Sequence, residues 1–128
     1  MNLLLDTCIF LWFISGDQRL PVSMREAIRD PANAVHLSAA SLWEIIVKYQ
    51  LGKLSLPHPP DQYMPEQRER HHIASLPLEE DSVARLQQLP PLHRDPFDRM
   101  LICQALANNF TLLTVDDKIR AYPVQVLT

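Results

Sequence analysis

Short apolar runs alternate with longer segments of helical periodicity along this chain, which leaves few folds open to it. Strands are predicted at residues 2–5, 35–37, 72–75, 111–115 and 124–127. Helices are predicted at residues 8–14, 21–29, 38–51, 61–70, 79–89, 95–109 and 116–122. Strands that alternate with helices favour an α/β domain with a mainly parallel sheet. Because 128 residues suit one hydrophobic core, we expect a single domain over residues 1–128.

Glycine is scarce, and its scarcity excludes several classes of enzyme. Only two glycines occur, Gly16 and Gly52, and each stands where a predicted helix ends. Phosphate-binding loops and dinucleotide folds need several neighbouring glycines, so that backbone N–H groups can approach a phosphate. The chain is therefore not expected to be a kinase, a P-loop NTPase or a Rossmann dehydrogenase.

The apolar segments give no sign of a membrane or secretory protein. The apolar stretch at residues 9–14 is far shorter than the ~20 residues that cross a bilayer. The start of the chain lacks the basic residues of a signal peptide, and Asp6 interrupts its apolar run. Cys8 and Cys103 show no metal-type spacing, and we expect both to be buried thiols in a reducing compartment. These features predict a cytoplasmic protein.

Carboxylates follow two of the predicted strands directly. Asp6 comes after the first strand, and Asp116 comes after the strand at residues 111–115. Ligands of open α/β sheets bind beyond the carboxyl ends of the strands, so these two acids are expected to meet at one edge. Glu44 and Asp98 stand near the starts of two further predicted helices. Together, four helix starts each present a carboxylate.

Each of these acids could instead have a purely structural role. Asp6 can cap the first helix, and one member of each pair 95/98 and 116/117 can cap the helix that follows it. Glu44 fits a capping box or an exposed ion pair with Lys48. A helical wheel places Glu44 and Lys48 on a narrow polar strip, with Trp43 on the broad apolar face.

The ligand types in the chain favour a hard divalent cation. Carboxylate oxygens with open water positions suit Mg²⁺ or Mn²⁺. The five histidines show no metal-ligand spacing, which disfavours zinc. The net charge of −3 argues weakly against nucleic-acid binding, but a carboxylate cluster would itself account for the deficit.

In its motifs the chain resembles the PIN-domain ribonucleases, and within them the VapC-type toxins of bacterial toxin–antitoxin pairs. The similar segments are LLLDT at residues 3–7, SAASLWEI at 38–45, LGKL at 51–54, HRDPFDR at 93–99 and LLTVD at 112–116. The resemblance covers nearly the whole chain and implies a three-layer α/β/α fold. It also implies a divalent-metal endoribonuclease, a homodimer and inhibition by a partner antitoxin.

The resemblance also implies roles for particular residues. The catalytic and metal-binding acids are Asp6, Glu44, Asp98 and Asp116, and Asp117 competes with Asp116 for the fourth place. The first and third acids are expected to bind Mg²⁺ or Mn²⁺ directly, while the other two complete the ligand set or position water. Further contacts to RNA or to the acids are expected from Thr7, Arg94, Asp95 and Arg99.

The sequence leaves alternatives for several features of the function. Many relatives have a basic residue where Val115 stands, so phosphate contacts there are expected to differ. A PIN nuclease of RNA processing and a catalytically inactive interaction module are the alternatives to a toxin. A phospho-receiver domain is disfavoured because Asp6 has no acidic neighbour. An antitoxin is expected to cover the first two helices near Phe10, Trp12 and Phe13.

Overall fold

Four parallel strands form one sheet in the computed structural model, which describes residues 1–127. The strands are β1 Asn2–Leu5, β2 Ala34–Ser38, β3 Ala74–Leu76 and β4 Thr111–Leu113. Their order across the sheet is β3-β2-β1-β4, and every pairing is parallel. The predicted parallel α/β architecture is therefore confirmed.

Helices connect these strands and lie on both faces of the sheet. They are α1 Thr7–Ser15, α2 Val22–Arg29, α3 Ala39–Gln50, α4 Pro60–Arg70, α5 Glu80–Ala84, α6 Pro96–Asn108 and α7 Asp117–Arg120. Successive side chains of a strand point to opposite faces. In β1, accordingly, Leu3 and Leu5 belong to one buried cluster and Leu4 to the other. Two cores separated by one sheet make the predicted three-layer α/β/α arrangement.

Five predicted elements differ from the structure by two or more residues, and two of them only end early: the strand predicted at 111–115 ends at Leu113 and the helix predicted at 116–122 ends at Arg120. The helix predicted at residues 79–89 ends at Ala84 and continues as a 3-10 turn, Arg85–Gln87, which is a common way for a helix to end. The strand predicted at 72–75 begins two residues later, because His72 has a left-handed backbone (φ 57°) that closes the turn after α4. The strand predicted at 124–127 is a single bridge from Val126 to Leu112, since β4 is only three residues long.

Both glycines end helices, as predicted. Gly16 follows α1 with a φ of 66°, and its N–H donates to the carbonyl of Phe13. Gly52 follows α3 with a φ of 73°, and its N–H donates to the carbonyl of Tyr49. A left-handed residue at this place favours glycine, which has no Cβ to clash.

The two cysteines have different environments. Cys103 is buried in α6, as predicted, but Cys8 is exposed, so the expectation of two buried thiols was wrong for Cys8. Cys8 lies in the first turn of α1 at the mouth of a surface cleft, which a count of apolar neighbours in the sequence does not reveal. None of the helices in residues 1–127 is both long enough and apolar enough to span a bilayer.

The sheet brings several helix starts to one edge. α1 begins two residues after β1, α3 begins directly after β2, and α7 begins shortly after β4. The N–H of Asp6 donates to the carbonyl of Leu113 at 3.0 Å, which extends the pairing of β1 with β4 beyond their ends. Side chains that follow these strands therefore lie close together.

Candidate active site

A cleft of about 430 Å³ opens at the carboxyl edge of the sheet. It is lined by four acids that the sequence singled out: Asp6, Glu44, Asp98 and Asp116. They come from the end of β1, the middle of α3, the first turn of α6 and the start of α7. The expectation that Glu44 stands near a helix start was therefore wrong. The fold thus brings into one cleft carboxylates that are as much as 110 residues apart in the chain.

Asp6 is a buried carboxylate held mainly by a hydroxyl group. Its Oδ2 accepts a hydrogen bond from Oγ1 of Thr114 at 2.7 Å, while its cap contact to the N–H of Cys8 is long, at 3.4 Å. Burial raises the pKa of Asp6, the two hydrogen bonds offset part of that rise, and the charges of Glu44 and Asp116 add to it. Helix capping alone does not explain so unfavourable a place for a carboxylate.

Glu44 is buried, although the helical wheel placed it on a polar strip of α3. Its side chain is 5% exposed, and Oε2 accepts a hydrogen bond from Nζ of Lys48 at 2.6 Å. The polar strip faces the cleft rather than solvent, whereas Trp43 is 57% exposed and packs edge-to-face on Phe97. The prediction that Trp43 lies on the apolar face of α3 that packs on the core was therefore wrong.

One oxygen of Glu44 lacks a partner. Oε1 is buried and accepts no hydrogen bond from the residues that the structure describes. The capping-box alternative for this acid is not observed, because the Oγ of Ser38 caps α3 and accepts the N–H of Ala40 at 3.0 Å. A buried oxygen without a donor is costly. It is the kind of oxygen that a bound cation satisfies.

Asp95 and Asp98 have different roles, and the sequence did not show which of them caps α6. Oδ1 of Asp95 accepts two N–H groups of the first turn of α6, at 2.9 and 3.1 Å, so Asp95 is the cap. Both side chains line the cleft, and Asp98 has no capping contact. Burial, followed by the charges of Asp6, Asp95 and Glu44, raises the pKa of Asp98 to about 7, and His93 acts in the opposite direction.

The structure separates Asp116 from Asp117. Asp116 lines the cleft; its Oδ1 caps α7 by accepting the N–H of Lys118 at 2.9 Å, and its Oδ2 lies 3.1 Å from Nε2 of His93. Asp117 is exposed and does not line the cleft. Of the two, Asp116 is the one placed beside the other acids.

His93 belongs to this cluster, and the sequence analysis missed it. Its Nε2 is 2.9 Å from Oδ2 of Asp98 and 3.1 Å from Oδ2 of Asp116. Among the described residues these three side chains form a group whose ligand atoms lie within 4.8 Å of one another. His93 does not belong to any regular spacing of histidines in the sequence. Its place in the HRDPFDR segment was the signal that could have found it.

The positive groups at the cleft are not the two arginines that the sequence suggested. Arg99 donates to backbone carbonyls, including that of Pro90 at 3.0 Å, and Arg94 is exposed; neither lines the cleft. The lining cations are Lys48 and Lys53. Arg99 is directed away because the 89–93 loop packs against the start of α6 and presents its carbonyls to the guanidinium group.

Two further predicted residues contribute to the walls. Thr7 is buried and lines the cleft, and its Oγ1 donates to Oγ of Ser41 at 2.8 Å, which ties α1 to α3. Val115 also lines the cleft and is partly exposed, so the wall there is apolar. Residues 7 and 115 thus stand beside the acids of β1 and β4.

The surface expected to meet an antitoxin is only partly available. Phe10 is completely buried in the core, so it cannot form part of a docking surface. Its place on α1 faces the sheet rather than solvent. Trp12 and Phe13 are half-buried, and the guanidinium of Arg19 lies 5.0 Å from the centre of the Trp12 ring.

The donor set of the cleft fits a divalent cation. It holds several carboxylates, raised pKa values at Asp6 and Asp98, and an oxygen of Glu44 without a donor. Carboxylates that are buried together stay ionised at neutral pH only with compensating positive charge. Mg²⁺ and Mn²⁺ prefer such oxygen ligands, and they keep water in the remaining positions.

Comparison with known proteins identifies relatives of the chain. A family model described as the PIN domain matches residues 3–125. A segment of 46 residues is 46% identical to Ribonuclease VapC16 of Mycobacterium tuberculosis. That segment covers 36% of this chain and about a third (33%) of the length of that relative.

Two solved structures share the fold over almost the whole chain. One is VapBC2 from Rickettsia felis, bound to a DNA fragment from its promoter, with a TM-score of 0.71 and 18% identity. The match covers 99% of this chain and 98% of that one. DNA-bound VapBC from Salmonella typhimurium matches with a TM-score of 0.69 and 17% identity, covering 99% and 97%. At these identities the structures show a common fold, and with the family match they confirm the resemblance seen in the sequence.

Proposed function

We infer the activity of this chain from its family and its cleft: it belongs to the PIN domain family, and we propose that it is a divalent-metal endoribonuclease. The observation that carries this proposal is the convergence of Asp6, Glu44, Asp98 and Asp116 on one cleft. Hydrolysis of an RNA phosphodiester needs an activated water and stabilisation of charge on the phosphate. A cluster of carboxylates supplies these through a bound cation.

The four acids have distinct parts in the proposed site. Asp6 and Asp98 bind Mg²⁺ or Mn²⁺ directly, because burial and mutual repulsion make them the acids most in need of a counter-charge. Glu44 and Asp116 complete the ligand set or orient the attacking water. When bound, the cation supplies Lewis-acid activation of that water and of the scissile phosphate.

Two lysines and a threonine offer contacts to the RNA backbone. Lys48 and Lys53 line the cleft and provide positive charge to a phosphate, and Lys48 also pairs with Glu44. Thr7 lines the same cleft, and because its Oγ1 donates to Oγ of Ser41, it can only accept a hydrogen bond, as from the 2′-hydroxyl of RNA. The apolar side chain of Val115 makes no charged contact, so phosphate binding is expected to depend on the two lysines that line the cleft.

We further propose that the protein is the toxin of a toxin–antitoxin pair, acting in the cytoplasm as a homodimer. Support comes from the short match to Ribonuclease VapC16 and from the fold shared with two VapBC proteins. The partner is then a cognate antitoxin that covers the cleft. A PIN nuclease of RNA processing is separated from this proposal by growth: expression without an antitoxin arrests growth only for a toxin.

A paired substitution tests the assignment of the fourth acid and the activity together. We expect Asp116→Asn to lose RNA cleavage by about 10²-fold or more, because it removes charge from the cleft. Asp117→Asn should cleave like the wild type, because Asp117 is exposed outside the cleft. Cleavage of a mixed bacterial RNA with Mg²⁺ measures both. Equal activity of the two variants would contradict the assignment, and inactive wild-type protein would contradict the nuclease proposal.

Metal binding should also appear as a gain in stability. Mn²⁺ at about a hundred times its dissociation constant stabilises a folded protein by about 2.7 kcal/mol. For a chain of this size we expect a rise in melting temperature of roughly 5–15 °C over protein in EDTA. Asp6→Asn should lose most of that rise, whereas Asp61→Asn, an exposed acid in the first turn of α4, should keep it. A similar rise in both variants would place the metal elsewhere.

A further inference from the structure

The role of the His93 ring is not assigned by the chemistry proposed above. Its side chain is 8% exposed, and its Nε2 lies 2.9 Å from Oδ2 of Asp98 and 3.1 Å from Oδ2 of Asp116. The two carboxylates belong to different elements, the first turn of α6 and the start of α7. One nitrogen atom thus joins two separate walls of the cleft.

The proton on this ring can be placed from its other nitrogen. The backbone N–H of Asp95 donates a hydrogen bond to Nδ1 of His93, at 3.3 Å. A ring nitrogen that accepts a hydrogen bond carries no proton, so the proton of the neutral imidazole lies on Nε2. Nε2–H therefore donates to Oδ2 of Asp116, and Oδ2 of Asp98 lies beside the same nitrogen at 2.9 Å.

This tautomer argues against His93 as a metal ligand, although its Nε2 lies among carboxylate oxygens. A metal-binding histidine uses the lone pair of one nitrogen and donates the N–H of the other to an acceptor. With Nε2 on a metal, Nδ1 would carry the proton and would meet the backbone N–H of Asp95, donor against donor. The surroundings of the ring suit a hydrogen-bond donor.

The backbone that carries the ring is itself fastened. The N–H of His93 donates to the hydroxyl oxygen of Tyr122 at 2.9 Å, and that hydroxyl donates to the carbonyl of Pro90 at 2.6 Å. Arg99 donates to the carbonyl of His93 at 3.4 Å. The imidazole therefore stands on a loop that α6 and the residues after α7 hold in place.

We propose that His93 is a positioning residue: its Nε2–H donates to Oδ2 of Asp116 and lies against Oδ2 of Asp98 at 2.9 Å, and so fixes the separation of the two carboxylates. Held in this way, they keep their remaining lone pairs for a cation. The inference rests on the proposed function, because metal binding is what the arrangement serves. Groups that orient metal ligands typically contribute about 10–100-fold to metal affinity or activity.

The tautomer itself is measured by ¹H–¹⁵N NMR on the full chain, without metal and with saturating Mg²⁺. We expect His93 to carry its proton on Nε2 in both states. A proton on Nδ1 in the metal-free protein would overturn the proposal. Loss of the Nε2 proton when Mg²⁺ is added would also overturn it and make His93 a ligand.

Substitution separates positioning from general support of the fold. We expect His93→Ala to weaken Mn²⁺ binding, measured by calorimetry, by about 10–100-fold and to slow RNA cleavage by a similar factor. His93→Gln keeps an N–H donor and should recover most of both losses. His58→Gln, at an exposed histidine outside the cleft, should match the wild type. Urea denaturation of each variant shows whether it is folded under the assay conditions.

The outcomes distinguish this inference from the proposed function. Equal losses in folded His93→Ala and His93→Gln, or wild-type behaviour of His93→Ala, would overturn the positioning role while metal-dependent cleavage by the wild type still stands. Wild-type protein that binds no Mn²⁺ and cleaves no RNA would overturn both. Recovery by His93→Gln alongside a persistent Nε2–H signal is the expected result.

Discussion

Asp98→Asn is expected to reduce RNA cleavage at saturating Mg²⁺ by about 10²–10³-fold or more, and to make the metal-free protein more stable at pH 8. The first effect follows from the proposed role of Asp98 as a charged metal ligand at the cleft. The second follows from the environment of Asp98, where burial and three neighbouring carboxylates disfavour its negative charge. A residue needed for the fold would show a loss of stability instead.

The pH dependence gives this prediction its sign. The pKa of Asp98 rises from an ordinary 3.8 to about 7 in the folded protein. A group whose pKa is raised by folding favours the folded state while it is protonated, and that contribution is lost as pH increases through the folded pKa. Ionisation of Asp98 therefore lowers the free energy of unfolding by an increasing amount as the pH rises from about 4 to about 7. Asparagine does not ionise and avoids that cost.

Urea denaturation in EDTA at pH 5 and pH 8 measures the effect. The gain in unfolding free energy from Asp98→Asn should be larger at pH 8 than at pH 5. Asp61→Asn is the matched control, since Asp61 is also an acid in the first turn of a helix but is exposed outside the cleft. If Asp98→Asn lowered stability at pH 8, Asp98 would be a structural residue rather than one held for a cation.

Leu101→Ala is expected to lower the free energy of unfolding by about 2–5 kcal/mol. Leu101 is completely buried on α6, in the same cluster as Leu4 of the sheet, and truncating it leaves a cavity. A loss of this size is a large part of the roughly 5–15 kcal/mol that stabilises a typical domain. It would loosen the helix whose first turn carries Asp98.

The same denaturation experiment provides the control for the core. Leu51→Ala removes a side chain that is mostly exposed, and it should change stability by no more than about 0.5 kcal/mol. RNA cleavage per folded molecule should be unchanged in Leu51→Ala. If Leu101→Ala were as stable as the wild type, the packing of α6 on the sheet described above would be wrong.

Most of the sheet and the acids at its edge were predictable, because their signals are local. An apolar run followed directly by Asp6, and another that leads to Asp116, indicate two strands and the edge of the sheet at which both end. The sequence Asp95-Pro96 similarly marks the start of α6, since a capping carboxylate and a proline both suit the first turn. Such patterns need no knowledge of tertiary contacts.

The features that sequence reasoning missed depend on what lies opposite each residue. A helical wheel shows that Glu44 and Lys48 share a strip, but not that this strip faces a cleft instead of solvent. No regular sequence spacing connects His93 with Asp98 and Asp116. The loop that carries His93 contacts these two acids only when α6 and α7 have packed. The exposure of Cys8 likewise depends on an opening formed by several elements.

RNA cleavage by purified wild-type protein, with and without a divalent cation, is the most direct test of the metal-dependent nuclease. A fluorescently labelled RNA mixture is incubated with the protein in excess EDTA and, in parallel, after Mg²⁺ or Mn²⁺ is restored. We expect cleavage only with the cation, and cleavage reduced by about 10²-fold or more in Asp98→Asn prepared in the same way. Cleavage undiminished in EDTA, or equal cleavage by Asp98→Asn, would contradict a metal site built from these carboxylates.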